Sequence, residues 1–191
     1  MIVLTRNIVR RRSIRLPGFD YSQPGAYFLT ICSAQRTCIF GSAEKGQVLE
    51  NELGKLVRAC WLEIPQHFPT TETDAFVIMP NHLHAILNIR RSRLENNCSR
   101  QEVFSLPTMD SVPTIVRTFK AAVTWQARKQ QLGSGEAIWH RDYYEHVIRD
   151  ENEYVDTCRY ISLNPLRWDL DENHPSLLGR GTIYRAPTRH F

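Results

Sequence analysis

Long apolar runs are missing from this sequence. No window approaches the roughly 18 uninterrupted apolar residues that a membrane-spanning helix requires. The opening stretch MIVLTRNIVRRR places its charges after a few apolar residues, whereas a secretory signal places them before an apolar segment. The sequence therefore predicts neither a membrane span nor a signal peptide.

Paired cysteines are also missing. The five cysteines form an odd set with no CxxC pair, which fits neither the disulfide framework of a secreted protein nor a zinc ribbon. We therefore expect reduced thiols and a cytoplasmic protein. The chain has 191 residues, enough for one domain with a substantial core but few for two.

Acidic residues are absent from the first 19 residues, which form a basic N-terminal arm. The arm carries a charge of +5, whereas the whole chain has a net charge of +4, so residues 20–191 sum to −1. Concentrated arginine suits a polyanionic partner, because each guanidinium neutralises a phosphate and releases counterions. A solvated terminus without a partner explains the same pattern. The charges of the arm come from Arg6, Arg10, Arg11, Arg12 and Arg15.

The apolar pattern predicts a strand, a helix, a hairpin, a helix, a strand and a helix, in that order. This order is typical of a single α+β domain with a mostly antiparallel sheet and helices packed on it. The predicted elements are a strand between 25 and 41, a helix over 49–64 that ends near Pro65, a hairpin of 74–79 and 82–89 joined by Pro80 and Asn81, a polar surface loop over 90–113, a basic amphipathic helix over 114–131, a strand over 137–149, and a helix from Asp150 to about Asn164.

Two histidines, His82 and His84, lie one residue apart in the second strand of the hairpin. Alternate residues of a strand face the same way, so both imidazoles project from one side of the sheet. The other side is wholly apolar, with Leu83, Ala85, Leu87 and Ile89. Two imidazoles at this spacing can bind one divalent ion, but two buried histidines bonded to backbone groups would give the same pattern.

The last helix carries Tyr160 and, one turn later, Asn164. With about 100° per residue, the apolar positions Tyr154, Val155, Cys158 and Ile161 predict a stripe that Tyr160 faces away from. The amide oxygen of Asn164 could serve as a third metal ligand, and Pro165 would end the helix there. Both residues could equally be ordinary surface positions.

Four stretches together closely resemble one family. VIMPNHLHAIL, IVRTFKAAVT, IWHRDYYEHVIRD and YISLNPLRW occur in the order typical of the REP-associated tyrosine transposases, relatives of the single-tyrosine insertion-sequence transposases in the HUH endonuclease superfamily. The match covers residues 20–168. The resemblance implies a catalytic domain over these residues with the ferredoxin-like or RRM-like HUH fold, followed by a C-terminal tail over 169–191.

The resemblance also implies roles for individual residues. His82 and His84 become metal ligands, with Asn164 in a place that glutamine usually occupies in the insertion-sequence relatives. Tyr160 becomes the nucleophile of a strand transferase that forms a 5′-phosphotyrosine, with Mg²⁺ or Mn²⁺ as cofactor. The implied partner is single-stranded DNA with a hairpin, so the protein would be associated with the nucleoid, as a monomer or a homodimer. The expected DNA contacts are the five arginines of the basic arm together with Arg117 and Lys120.

Other interpretations stay open. The chain could be a non-catalytic DNA-binding protein derived from a transposase, or a zinc hydrolase built on the histidine pair. Tyr143 and Tyr144 compete with Tyr160 as nucleophiles, although we expect them to pack or to contact DNA. His140 and His146 could assist the site, but a lone histidine on a strand is more often structural.

Overall fold

A computed structural model describes residues 19–90, 110–133 and 135–177. The basic arm up to residue 18, most of the predicted loop and the end of the tail lie outside this part of the chain. The elements in chain order are β1 (Gly25–Cys32), β2 (Gly41–Glu44), β3 (Gln47–Glu50), α1 (Glu52–Leu62), α2 (Ile64–His67), β4 (Thr71–Met79), β5 (His82–Ile89), α3 (Val112–Lys129), β6 (Tyr144–Ile148) and α4 (Glu151–Leu163), with 3-10 turns at Ala34–Arg36, Pro165–Leu170 and Pro175–Leu177.

The centre of the fold is a four-stranded antiparallel sheet with the strand order β4-β5-β1-β6. Strands β4 and β5 form the expected hairpin, in which Met79 pairs with His82 across the turn at Pro80 and Asn81. The prediction of a single α+β domain with a mostly antiparallel sheet is confirmed.

The two faces of the sheet have different coverings. Successive strand residues point to opposite sides of the sheet, and the residues on one side are apolar. That face therefore packs against α1 and α3 and forms the main core. The other face carries α4 and a smaller cluster. The main core includes Leu29, Ile31, Leu83, Ala85, Leu87, Leu56, Trp61, Ile115, Phe119 and Val123, and the smaller cluster is Phe28, Ile86, Tyr144, Ile148 and Ile161.

The predicted strand between 25 and 41 is shorter in the structure. It ends at Cys32, and a second hairpin of β2 and β3 follows that the sequence pattern did not predict. Lys45 and Gly46 both have positive φ in its two-residue turn, as turns matching the strand twist require. Leu49, assigned to the first helix from its spacing, lies in β3 and is 56% exposed.

Three element boundaries also differ from the prediction. The first helix ends at Leu62, and Pro65 lies in the first turn of α2, where a missing N–H costs nothing. Strand β6 spans only Tyr144–Ile148, with Trp139 making an isolated bridge to Ser33 before it. Asn164 keeps helical angles of φ −58° and ψ −42° before Pro165, so α4 runs directly into a 3-10 turn instead of stopping.

The start of α4 follows the predicted capping. The side chain of Asp150 accepts a hydrogen bond from the backbone N–H of Glu153 at 2.9 Å, and Glu153 reaches back to the N–H of Arg149 at 2.8 Å. The cap fixes where the helix begins, and thereby the rotation of every later side chain. Within the described residues, no helix has both the length and the apolar character that crossing a membrane requires.

Candidate active site

The histidine pair projects from β5 toward α4. His82 is fully buried and His84 is 2% exposed, and their ring centroids are 4.4 Å apart. Their strand neighbours Leu83 and Ala85 point into the main core on the opposite face, as the strand period predicts. The two imidazoles therefore share one side of the sheet.

Each imidazole is held through its Nδ1 atom. His84 Nδ1 lies 2.9 Å from the hydroxyl oxygen of Thr30, on the neighbouring strand, and His82 Nδ1 lies 2.8 Å from the amide oxygen of Asn81. The Nε2 atoms of both histidines point away from these partners, toward α4. His82 Nε2 is buried and has no hydrogen-bond partner. A buried polar atom without a partner is costly and needs an explanation, of which a bound ion is one.

Tyr160 lies against the sheet and not away from it. Its hydroxyl is 3.3 Å from Nε2 of His84, and its ring packs edge-on against Phe28 with centroids 5.9 Å apart. The expectation that Tyr160 faces away from the apolar side of its helix is therefore wrong. The predicted buried face lay too far from Tyr160 because it included Val155, which is 55% exposed, and left out Asn164, which is polar but buried.

An acid that the sequence reasoning missed completes the cluster. Oδ2 of Asp171 lies 3.9 Å from Nε2 of both His82 and His84, and one ligand atom from each of the three residues lies within 4.8 Å of the others. Asp171 follows the 3-10 turn after α4, inside the segment predicted as tail. The acidic run DLDE after the last motif was the only signal of it.

Asn164 is buried beside this acid. Its amide nitrogen donates to Oδ2 of Asp171 at 3.0 Å, while its amide oxygen is buried without a hydrogen-bond partner. Asn173 holds the other oxygen of Asp171, donating from its backbone N–H at 2.7 Å and from its amide at 3.0 Å. The structure thus brings Asn164 to the histidine pair together with Asp171.

Burial and neighbouring charges shift the pKa values of the site. Burial, and then the adjacent His84, lower the pKa of His82 well below its usual range. Burial alone would raise the pKa of Asp171, but the imidazoles of His84 and His82 outweigh it and lower that pKa. Burial, Asp171 and Glu172 raise the pKa of Tyr160. The site therefore holds a neutral imidazole, a carboxylate and a protonated phenol.

The competing tyrosines occupy different positions. Tyr144 is on the site's side of the sheet, packed edge-on to Phe28 with centroids 6.4 Å apart, and burial, followed by the charge of Glu153, raises its pKa to about 12. Tyr143 packs against the main core on the opposite face. Tyr160 is the tyrosine whose hydroxyl reaches the histidine pair.

The two lone histidines have partners of their own. His146 Nε2 lies 2.7 Å from Oε1 of Glu153, at the start of α4. Nδ1 of His140 accepts a hydrogen bond from the backbone N–H of Asp142 at 3.2 Å. The first contact joins β6 to α4 through two side chains, and the second lies within one loop.

The predicted DNA contacts are only partly described. The five arginines of the basic arm lie outside the described residues, and Arg117 is exposed on α3. The ammonium of Lys120 donates to the backbone carbonyl groups of His140, Arg141 and Asp142 at 2.9, 3.4 and 3.3 Å. Lys120 therefore stabilises the loop before β6, and its donors are already used within the fold.

The donor set suits a divalent cation. Two imidazole nitrogens and a carboxylate oxygen are common ligands of Mn²⁺, and the amide oxygen of Asn164 adds a fourth candidate. Two of the buried atoms without hydrogen-bond partners, His82 Nε2 and Asn164 Oδ1, lie in this cluster and are the atoms that a cation would satisfy. The residues present therefore fit the metal that the resemblance implies.

A four-stranded antiparallel sheet presents an HxH pair to a tyrosine on a covering helix, which is the arrangement that the resemblance implies. No protein-family model matches the chain. It is 42% identical over 171 residues to an uncharacterised protein of Haemophilus influenzae, which covers 86% of this chain and 93% of that protein. It is also 26% identical over 148 residues to a protein of the same organism proposed to be a REP-associated tyrosine transposase. This match covers 78% of this chain and 74% of that protein.

The fold is similar to a solved structure as well. A REP-associated tyrosine transposase bound to a REP hairpin superposes with a TM-score of 0.55 at 18% identity, covering 85% of this chain and 77% of that one. The chain is thus similar to REP-associated tyrosine transposases in sequence and in fold.

Proposed function

We propose that this protein is a metal-dependent transposase that nicks and rejoins single-stranded DNA through Tyr160. One observation carries the proposal: the hydroxyl of Tyr160 lies 3.3 Å from Nε2 of His84, within a buried cluster of two imidazoles and the carboxylate of Asp171. A phenol placed against metal-ligand groups is an arrangement suited to nucleophilic attack on a phosphodiester. The similarity to REP-associated tyrosine transposases supports a transposase-like function.

The reaction conserves the energy of the phosphodiester. The phenol oxygen of Tyr160 attacks the phosphorus, forming a bond between them, while the bond from phosphorus to the 3′-oxygen breaks. The phenol loses its proton and the departing 3′-oxygen gains one, which leaves a 5′-phosphotyrosine and a free 3′-hydroxyl. Attack by a 3′-hydroxyl on this ester reverses the step, so rejoining needs no ATP.

We assign the metal to His82, His84 and Asn164, with Asp171 as an additional acidic ligand. A divalent ion, Mg²⁺ or Mn²⁺, would offset the charge of the scissile phosphate and orient it. The protein's own contribution is to keep the ligands in place: Thr30 and Asn81 hold the imidazoles, and Asn173 holds the carboxylate.

The phenol must lose its proton during attack, because its pKa is raised. Burial and the charges of Asp171 and Glu172 keep Tyr160 protonated before the substrate arrives. Without a bound cation, the phenol hydroxyl lies within hydrogen-bond distance of Nε2 of His84. This protection keeps the nucleophile inactive until a phosphate reaches the site.

We propose single-stranded DNA beside a hairpin as the substrate. A strand must bend one phosphate into a recessed site, which a regular duplex resists. The related structure that contains a REP hairpin supports this choice, and the arginines of the arm and Arg117 supply charges for phosphate contacts. This substrate would place the protein at the nucleoid.

The proposal is tested by incubating the full chain with hairpin-bearing single-stranded DNA and Mn²⁺ or Mg²⁺, followed by a denaturing gel. A covalent protein–DNA band is expected from the wild type and from Tyr144→Phe, and none from Tyr160→Phe. Tyr144 is the matched control because it lies on the same face of the sheet. Binding without a covalent band would indicate a non-catalytic protein, and cleavage without one would indicate a hydrolase; either result overturns the proposal.

A further inference from the structure

Asn81 makes contacts that connect three parts of the site. It is fully buried in the turn between β4 and β5. Its amide nitrogen donates to the carbonyl oxygen of Arg36 at 2.9 Å and to that of Asn173 at 2.6 Å. Its backbone carbonyl accepts the N–H of Ser33 at 2.8 Å. Its amide oxygen faces Nδ1 of His82 at 2.8 Å.

These contacts leave one consistent arrangement of hydrogens. Both hydrogens of the Asn81 amide are used by carbonyl oxygens, which can only accept. The opposite orientation of the amide would place its oxygen against those two carbonyl oxygens, so it is excluded. The remaining Asn81 oxygen also only accepts, and therefore Nδ1 of His82 must carry the proton.

A proton on Nδ1 leaves the lone pair of His82 on Nε2. That atom faces Oδ2 of Asp171 at 3.9 Å and has no hydrogen-bond partner. A neutral imidazole binds a cation only through the nitrogen without a proton, and the bond made by the other nitrogen decides which one that is. Asn81 therefore holds His82 in its metal-binding form.

His84 is held differently. Its Nδ1 faces the hydroxyl of Thr30, which can donate or accept, so this contact permits either tautomer. The two histidines look equivalent in the sequence, but only His82 has its proton placed by an amide oxygen. The fixed tautomer is thus a specific property of the Asn81–His82 pair.

Asn81 is also linked to the acid of the cluster. Asn173 accepts from the Asn81 amide through its carbonyl oxygen, and donates to Oδ1 of Asp171 through its backbone N–H and its side chain. The residue that orients His82 thus also anchors the segment that carries Asp171.

We propose that Asn81 is a positioning residue that fixes His82 in the Nδ1–H tautomer and ties that histidine to the placement of Asp171. The assignment of the tautomer stands on the hydrogen-bond network alone. Only its consequence for metal affinity rests on the proposed function.

The test uses ¹⁵N-labelled full-length protein without added metal at pH 8, and reads the His82 tautomer from long-range ¹H–¹⁵N NMR correlations. The His82 signals are assigned by their loss in His82→Gln. We expect the Nδ1–H form in the wild type. Asn81→Ala removes the acceptor, and we expect it to populate the Nε2–H form. Asn88→Ala is the control: Asn88 lies on β5, as His82 does, and its replacement should leave the His82 tautomer unchanged.

Calorimetric titration with Mn²⁺ gives the second measurement. We expect Asn81→Ala to bind Mn²⁺ about 10- to 100-fold more weakly than wild type, the usual cost of losing a residue that orients a metal ligand. The Nε2–H form in the wild type, or an unchanged Nδ1–H form in folded Asn81→Ala, overturns the proposal. The wild-type result decides even if Asn81→Ala does not fold. If the wild type shows the Nδ1–H form but binds no Mn²⁺, Asn81 fixes the tautomer and the proposed function loses its metal.

Discussion

The hydroxyl of Tyr160 and Nε2 of His84 are 3.3 Å apart, and this nitrogen is also the atom of His84 that faces Asp171. One lone pair cannot accept a hydrogen bond from the phenol and bind a cation at the same time. The hydroxyl of Tyr160 and a cation therefore compete for Nε2 of His84, which gives the first prediction.

Tyr160→Phe should bind Mn²⁺ more tightly than the wild type, by about twofold to tenfold, because a neutral hydrogen bond contributes about 0.5–1.5 kcal/mol and the variant lacks it. Calorimetric titration without DNA measures the change. Tyr144→Phe, which removes a hydroxyl from the same face of the sheet, should match the wild type. Weaker Mn²⁺ binding by Tyr160→Phe would mean that the hydroxyl itself helps to hold the cation.

Replacing either histidine should abolish metal-dependent cleavage. His82→Ala and His84→Ala each remove an imidazole ligand from the buried cluster that both histidines form with Asp171. Mn²⁺ titration and the covalent adduct assay should both fall to background. Unchanged Mn²⁺ binding in the double variant would place the metal elsewhere in the protein.

Two variants distinguish the candidates for the remaining ligand. Asn164→Ala removes the amide oxygen, and Asp171→Asn keeps the shape of Asp171 but removes its charge. We expect Asp171→Asn to weaken Mn²⁺ binding more than Asn164→Ala does, because a carboxylate binds a hard cation more strongly than an amide does. The reverse order of affinities would make Asn164 the principal third ligand.

Lys120 should make stability depend on pH. Burial lowers its pKa to about 8, although Cys32 and Asp142 act in the opposite direction. Between pH 8 and the ordinary pKa of 10.5, the unfolded chain retains a proton that the folded chain has lost, so this group makes the protein more stable as pH rises. The slope is at most about 1.4 kcal/mol per pH unit, the value for one proton.

Urea unfolding of the wild type and Lys120→Met at pH 7.5, 8.5 and 9.5 measures this effect. The difference in the free energy of unfolding between the two proteins isolates Lys120, because tyrosines and cysteines that titrate in the same range contribute to both proteins. As pH rises, the free energy of unfolding of the wild type should increase relative to that of Lys120→Met. A constant difference would show that Lys120 keeps an ordinary pKa in the folded protein.

Deleting residues 1–15 should weaken DNA binding and its dependence on salt. The deletion removes five arginines. Each neutralised phosphate on a single strand contributes a slope of about −0.7 in log affinity against log salt, so the slope should become shallower by up to about 3.5. Binding titrations with hairpin DNA at several salt concentrations measure it, and cleavage at saturating DNA should persist. Equal affinity and slope in the two proteins would remove the arm from the interface.

The sheet and the histidine pair could be predicted from the sequence because both depend on local alternation. In β5, every second residue is apolar, and a period of two leaves only one face for His82 and His84. The β4–β5 hairpin was predictable from Pro80 and Asn81 for the same local reason. These features need no knowledge of distant contacts.

The position of Tyr160 and the presence of Asp171 could not be read in this way. The rotation of a helix on a sheet depends on which apolar residues are buried, and Val155 is apolar but exposed. Asp171 reaches the histidines through a 3-10 turn and a bond to Asn173, neither of which leaves a periodic pattern. The β2–β3 hairpin was missed because its strands have only four residues each.

The helical angles of Asn164 before Pro165 have a mechanical consequence. The backbone N–H of Arg167 bonds to the carbonyl of Asn164 at 3.0 Å, and that of Asp171 to the carbonyl of Trp168 at 3.0 Å, so hydrogen bonds continue from α4 to Asp171 although Arg167 has non-helical angles of φ −107° and ψ 15°. Tyr160 and Asp171 therefore lie on one hydrogen-bonded stretch of chain, whereas the imidazoles lie on the sheet. A displacement of this stretch relative to the sheet would change the distances from both groups to the imidazoles together, and the bond from Asn81 to the carbonyl of Asn173 opposes such a displacement near Asp171.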